Sequence, residues 1–221
     1  MTRATTSVSN YDAQYYARRQ SSPTLSAEIK AVTTLLDPRP CDRILEVGCG
    51  GGALLSHLAA FGPQEVVGVD WLRTSVELVR QSGHRTRALQ GDACALPFSA
   101  ATFDKVVAQH LIEHFEDTNG VLSEWRRVLR PGGLLVIVTP NLGFPHQEWF
   151  ADPTHRRIFS RTELGEHLAR AEYAVREIRI INPYVGSLSV QFAAARHLQF
   201  MRRLPWFGDH GMSLVAAAER L

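Results

Sequence analysis

The stretch Ile44-Leu45-Glu46-Val47-Gly48-Cys49-Gly50-Gly51-Gly52 brings four glycines to the end of a short apolar run. Glycine lets the main chain turn sharply and lets a ligand approach closer than any Cβ permits, so such a loop suits a nucleoside cofactor. Asp70 stands twenty residues after Gly50, at the end of the next β-like run, where a carboxylate can accept hydrogen bonds from both hydroxyls of a ribose. Gly48, Gly50 and Ala53 satisfy the G-x-G-x-x-G/A dinucleotide fingerprint equally well, so the glycines alone admit a nicotinamide-dependent oxidoreductase. Two more carboxylates separate the readings. Glu46 precedes the first glycine by two and sets a negative charge where a ligand ammonium group can be held. Asp92, in Gly91-Asp92-Ala93, ends a third β-like run and is placed to accept from an adenine amino group. The Tyr-x-x-x-Lys pair of short-chain hydride-transfer enzymes is absent, because neither Lys30 nor Lys105 follows a tyrosine by four.

These residues need strands and helices in alternation to hold them, and the pattern supplies both. Apolar β-like runs at residues 43–47, 65–69, 87–90, 103–108 and 134–139 alternate with helix-spaced segments at 53–61, 75–81 and 121–129. Arg130-Pro131-Gly132-Gly133 stops the last of these helices, and the nearly all-apolar run after it reads as a strand buried on both faces. This order predicts an α/β fold: a Rossmann-like, doubly wound, mostly parallel seven-stranded sheet with helices on both faces. Residues 141–157 have no periodicity and read as a long functional loop. A helix is expected at 162–171 with Thr162 as its cap, a strand at 174–181, a helix at 190–200 within an insertion, and a last, antiparallel strand at 213–218.

Composition bounds the answer. A chain of 221 residues with 45% hydrophobic and 21% charged residues is that of a globular domain, and a net charge of +2 is too balanced for an electrostatic nucleic-acid binder. No apolar run nears the roughly 20 residues of a membrane-spanning helix. The first ten residues lack the apolar core of a secretion signal and predict a loose tail. Cysteines 41, 49 and 94 show no metal-type spacing; they suit a reducing compartment, as small half-buried side chains, and the chain is read as cytoplasmic.

The ordered series Glu46-x-Gly48-x-Gly50-x-Gly52, Val69-Asp70, Gly91-Asp92-Ala93-x-x-Leu96-Pro97-Phe98, Phe103-Asp104 and Leu129-x-Pro131-Gly132-Gly133 resembles the class I S-adenosylmethionine-dependent methyltransferases, specifically the small-molecule group termed type 11. The resemblance covers residues 41–140. It implies that Gly48, Gly50 and Gly52 lie against the methionine part of S-adenosylmethionine with Glu46 near its ammonium group. It further implies Asp70 on the ribose, Trp71 beside the adenine, Asp92 and Ala93 at the adenine edge, and Gln109 near the reactive methyl. Tyr11-Asp12-x-x-Tyr15-Tyr16 resembles the family's entry segment, which folds over the cofactor. The chain then divides into a cover (1–40), a cofactor-binding core (41–140), an acceptor lid and insertion (141–211) and the last strand (212–221), all one domain. S-adenosylhomocysteine is the product this resemblance implies, and a small molecule, such as a sugar, polysaccharide precursor or secondary metabolite, is the partner.

Methyl transfer from a sulfonium is an in-line displacement, and a hydroxyl acceptor needs a proton acceptor, for which neutral histidine is suited at cytosolic pH. His110 and His114 follow the fourth strand, and His146 and His155 lie in the long loop. His110 and His155 are the expected catalytic residues; His114 is expected to be structural. The irregular spacing of His146, Asp152 and His155 argues against a metal site there. Ala108-Gln109-His110-Leu111 stands where amino-methylating enzymes of nucleic acids carry Asn/Asp-Pro-Pro-Tyr/Phe, which argues against such a substrate. A non-catalytic S-adenosylmethionine-binding protein remains an alternative on sequence.

Overall fold

The computed structural model describes residues 13–83, 86–144, 152–181 and 212–221. Its centre is a seven-stranded sheet: β1 (Arg43–Val47), β2 (Glu65–Asp70), β3 (Arg87–Gln90), β4 (Phe103–Gln109), β5 (Leu129–Pro140), β6 (Tyr173–Ile181) and β7 (Ser213–Arg220). The strand order is β3-β2-β1-β4-β5-β7-β6. Neighbours from β3 to β5 pair parallel, and β7 runs antiparallel to both β5 and β6. This is the Rossmann-like, doubly wound sheet that the alternating pattern predicts.

The period of two along each strand sends side chains to two separate cores. Leu45, Val67, Val106 and Ile137 face one, with Trp125 of α5 (Thr118–Val128) and Leu164 of α6 (Arg161–Arg170). Ile44, Val66, Val107 and Val136 face the other. There they meet Leu36 of α2 (Pro23–Leu36), Leu58 of α3 (Ala53–Ala59) and Val79 of α4 (Arg73–Gln81). The Leu96-Pro97-Phe98 segment packs as well: Leu96 is buried and the Phe98 ring meets Phe103 edge-on at 4.9 Å.

Several local expectations change. Residues 1–40, read only as a cover, contain two helices, α1 (Ala13–Gln20) and α2. Ser22 caps α2 by accepting from the Thr24 N–H, and Pro23 opens it. Thr162 is not the cap of α6. Ser160 is, with Glu163 completing a capping box, because the side chain that accepts from the third helical N–H must precede the helix. Pro131-Gly132-Gly133 does not separate helix from strand; it lies within β5 as an irregularity, with Leu129 paired to Phe103 and Leu134 to Lys105. Cys49 is fully buried, whereas Cys41 and Cys94 are exposed. The helix expected at 190–200 lies outside the described residues. Among the described residues no helix is long and apolar enough to cross a membrane.

Candidate functional site

The carboxyl ends of β1 to β4 open into one cavity of about 930 Å3. Ligands bind at that end of open α/β sheets, where the strand order reverses between β1 and β4. The glycine loop forms its floor. Gly48 and Gly50 adopt φ of 74° and 48°, in the left-handed region, and the Gly48 and Cys49 N–H groups both donate to the Val69 carbonyl (2.7 and 3.1 Å). A Cβ on Gly50 would stand 2.8 Å from the Tyr16 ring of α1, so the first helix rests directly on the loop. Tyr16 is held there by a 2.9 Å hydrogen bond with Ser75 of α4. Gly52 stands apart: it opens α3 and faces Val79, whose methyl would lie 2.7 Å from an added Cβ, and it is not part of the cavity wall.

Three carboxylates stand at the ends of three adjacent strands on this wall. Glu46 of β1 is 3% exposed, and its Oε2 has no hydrogen-bond partner among the described residues. Burial, and then the neighbouring charge of Asp70, push its carboxyl well above the ordinary range, against a backbone hydrogen bond from Leu55. Asp70 of β2 accepts from the Gly50 N–H (2.8 Å) and the Leu72 N–H (2.9 Å), which oppose the upward push of burial. Asp70 therefore does not cap α4, whose cap position is Leu72; it ties the glycine loop to the β2 end. Asp92, after β3, accepts from the Cys94 N–H at 2.9 Å, and the Ala93 carbonyl beside it accepts from the Trp125 indole at 3.2 Å. Trp71 is 52% exposed and lines the cavity, so it is not a core residue. This wall combines negative potential, an aromatic face and an approachable main chain.

The opposite wall carries Gln109 and His110. Both are gripped by Glu28 of α2, which is fully buried. The Gln109 amide donates to one Glu28 oxygen at 2.8 Å, and the other oxygen lies 2.9 Å from His110 Nε2 and accepts from the Ser213 hydroxyl at 2.5 Å. Arg19 approaches at 3.6 Å. His110 Nδ1 lies 3.4 Å from the buried carboxylate of Glu113. Burial, and with it Arg19, would lower the His110 pKa, but Glu28 and Glu113 outweigh them and raise it, so the ring between two carboxylates holds a proton more readily than an ordinary histidine. Burial likewise pushes the Glu28 carboxyl up, and His110, Arg19 and Ser213 outweigh it, holding it at about 2. An imidazolium has no lone pair to take a proton. His110 has a left-handed φ of 51°, and its two ring nitrogens face the Glu28 and Glu113 carboxylates, which works against a neutral ring.

His155 does not line the cavity; it stands behind His114, ring centroids 5.0 Å apart, and His114 lines the wall in its place. His146 lies outside the described residues. Thr154 and Arg156 reach the wall from the loop after β5.

Residues 45–137 match the family model of a methyltransferase domain. A Mycolicibacterium smegmatis protein named "Probable S-adenosylmethionine-dependent methyltransferase" is 36% identical over 136 residues, which are 61% of this chain and 52% of that protein. The "Ubiquinone biosynthesis O-methyltransferase" of Brucella anthropi is 34% identical over 110 residues, 47% of this chain and 44% of that protein. The chain thus spans about half the length of these curated relatives. A solved S-adenosylmethionine-dependent methyltransferase from Mesorhizobium loti superimposes with a TM-score of 0.71 at 19% identity, over 90% of this chain and 100% of that one, which shows the shared fold.

Within this site, the sequence analysis does not single out Glu28, Arg19 or Glu113. Glu28 had a legible signal: it falls in the series Leu25, Glu28, Val32, Leu36, whose spacing of three and four puts an acid on the buried face of a helix. A carboxylate is almost never fully buried unless paired. Arg19 carried no such signal.

Proposed function

We propose that the chain binds S-adenosylmethionine in this cavity, transfers its methyl group to a small-molecule acceptor and releases S-adenosylhomocysteine. The observation that carries this reading is the row of carboxylates at the ends of β1, β2 and β3, with the Glu46 oxygen buried and unpartnered. A buried acceptor left unsatisfied costs roughly 1–3 kcal/mol, and a ligand ammonium group would recover it. Asp70 would accept from the ribose hydroxyls, Asp92 from the adenine amino group with the Ala93 main chain at the ring edge, and Trp71 would cover the adenine. Gly48 and Gly50 would let the methionine part approach the loop. Gln109, aligned by Glu28, would stand near the transferred group.

When bound, S-adenosylmethionine supplies a methyl carbon made electrophilic by its sulfonium. The protein's part is to orient the acceptor in line and exclude water, and orientation of this kind can supply roughly 7–11 kcal/mol. His110, held between Glu28 and Glu113, shapes the wall. The named O-methyltransferase among the relatives supports a small organic acceptor.

The rival oxidoreductase reading shares the glycine loop and Asp70, but dinucleotide-binding sheets of that kind follow the order 3-2-1-4-5-6, whereas here antiparallel β7 separates β5 from β6. Calorimetric titration of the purified chain with S-adenosylhomocysteine and with NADH decides between them. Binding of the first alone is expected, followed by transfer of a labelled methyl group to a metabolite pool. Tight binding of NADH without S-adenosylhomocysteine would overturn the reading.

A further inference from the structure

Glu113, His114 and His155 point one donor atom each at a common space, all within 4.8 Å of one another. Glu113 and His114 belong to the single turn Ile112–His114 after β4, and His155 comes from the loop after β5. The main chain joins the two segments: the Glu113 carbonyl accepts from the N–H groups of both Arg156 (2.8 Å) and Arg157 (3.1 Å). His155 is therefore brought to the turn by backbone hydrogen bonds that its own side chain plays no part in.

We propose that Glu113, His114 and His155 form a binding site for a divalent transition-metal ion beside the cavity wall. Two imidazoles and one carboxylate suit zinc, iron or manganese better than magnesium or calcium, which prefer all-oxygen sets. His114 is prepared for it. Its Nδ1 lies 3.2 Å from the Thr154 carbonyl and donates there, which fixes the tautomer with the Nε2 lone pair available. Glu113 is fully buried; its Oε2 accepts from Thr139 at 3.1 Å, while its Oε1 is buried without a hydrogen-bond partner. Asp152 stands 3.7 Å from His155 Nε2, in the position of the carboxylate that commonly supports a ligating histidine. Metal bonds of about 2.0–2.2 Å require the donors to close by roughly 1 Å. His110 approaches Glu113 Oε1 from the other side, and a carboxylate has lone pairs enough for both neighbours.

Three protein ligands leave a metal coordination position open. Of the three, His114 also lines the main cavity, so an ion held here would stand beside the acceptor and could orient an oxygen or nitrogen of it. This use rests on the methyl-transfer reading, whereas the site itself does not.

The test is metal binding by the full chain carrying no histidine tag. After chelator treatment and dialysis against zinc or manganese, elemental analysis should find one equivalent held by the wild-type chain, with magnesium held far more weakly. His155→Asn should weaken retention at least ~tenfold while leaving the melting temperature of the metal-free chain unchanged. Cobalt(II) added to the wild-type chain gives a second readout that needs no variant, through visible ligand-field absorption that zinc abolishes. Failure of the wild-type chain to retain zinc or manganese, no cobalt band, or His155→Asn binding as well as wild type would each overturn the inference. S-adenosylhomocysteine binding is measured on the same samples. Its failure bears on the methyl-transfer reading alone, and failure of metal retention bears on this site alone.

Discussion

Replacing Glu28 by glutamine keeps the side chain's shape and removes its charge. Glu28 is fully buried and meets Gln109, Ser213 and His110 at 2.8, 2.5 and 2.9 Å, with Arg19 at 3.6 Å. The variant leaves His110 and Arg19 facing an amide where a carboxylate stood, and breaking a buried pair by removing one partner costs about 3–5 kcal/mol. A second route gives a similar figure. The Glu28 carboxyl falls from its ordinary 4.5 to about 2 on folding, which at about 1.4 kcal/mol per pH unit corresponds to about 3 kcal/mol. In a chain of this size each kcal/mol moves the melting temperature by about 2–4 °C, so Glu28→Gln should melt roughly 6–12 °C lower. The pH dependence follows from the sign. A carboxyl with a depressed folded pKa contributes its stability above the unfolded value of 4.5 and loses it as the pH falls toward about 2. Urea unfolding followed by circular dichroism, at mildly acidic pH and again near pH 3, reads both features. A loss below about 1 kcal/mol, the range of exposed pairs, or a gap between variant and wild type that does not narrow in acid, would refute the buried-pair account.

Three further outcomes test the cofactor wall. Asp70→Asn should weaken S-adenosylhomocysteine binding at least ~tenfold, since a hydrogen bond to a charged group contributes about 1.5–3 kcal/mol; unchanged affinity in calorimetry would remove Asp70 from the site. Gly50→Ala meets both a φ of 48° and the Tyr16 ring at 2.8 Å, so it should destabilise the chain by about 1–2 kcal/mol through the backbone alone. Adding Tyr16→Ala should recover only the contact part, and a strictly additive double-mutant cycle would show that the ring does not press on the loop. Trp71→Ala should lower S-adenosylhomocysteine affinity with little change in urea midpoint, because the indole is 52% exposed; a large loss of stability would make it a packing residue instead.

The alternation of strand and helix, the glycine turn and the carboxylates at strand ends were all legible in the sequence, because each rests on contacts within a few residues: pleat, helical period, left-handed turns. That is why the sequence marks Glu46, Asp70 and Asp92, and why the order of elements specifies the sheet. Helix α2 is legible too, in Ser22-Pro23 and the apolar series through Leu36. What tertiary structure decided was the charge and company of side chains. The His110 pKa is raised because Glu28, 82 positions away, is buried beside it, and that pairing exists only once α2 packs across β5 and β7. Trp71 turned outward, Gly52 inward to Val79, and His155 behind His114, because exposure and direction depend on what the sheet places opposite. Periodicity along one chain specifies which face of an element is apolar; it carries no record of which distant residue will stand across from it, and the electrostatics of this site are set by those neighbours.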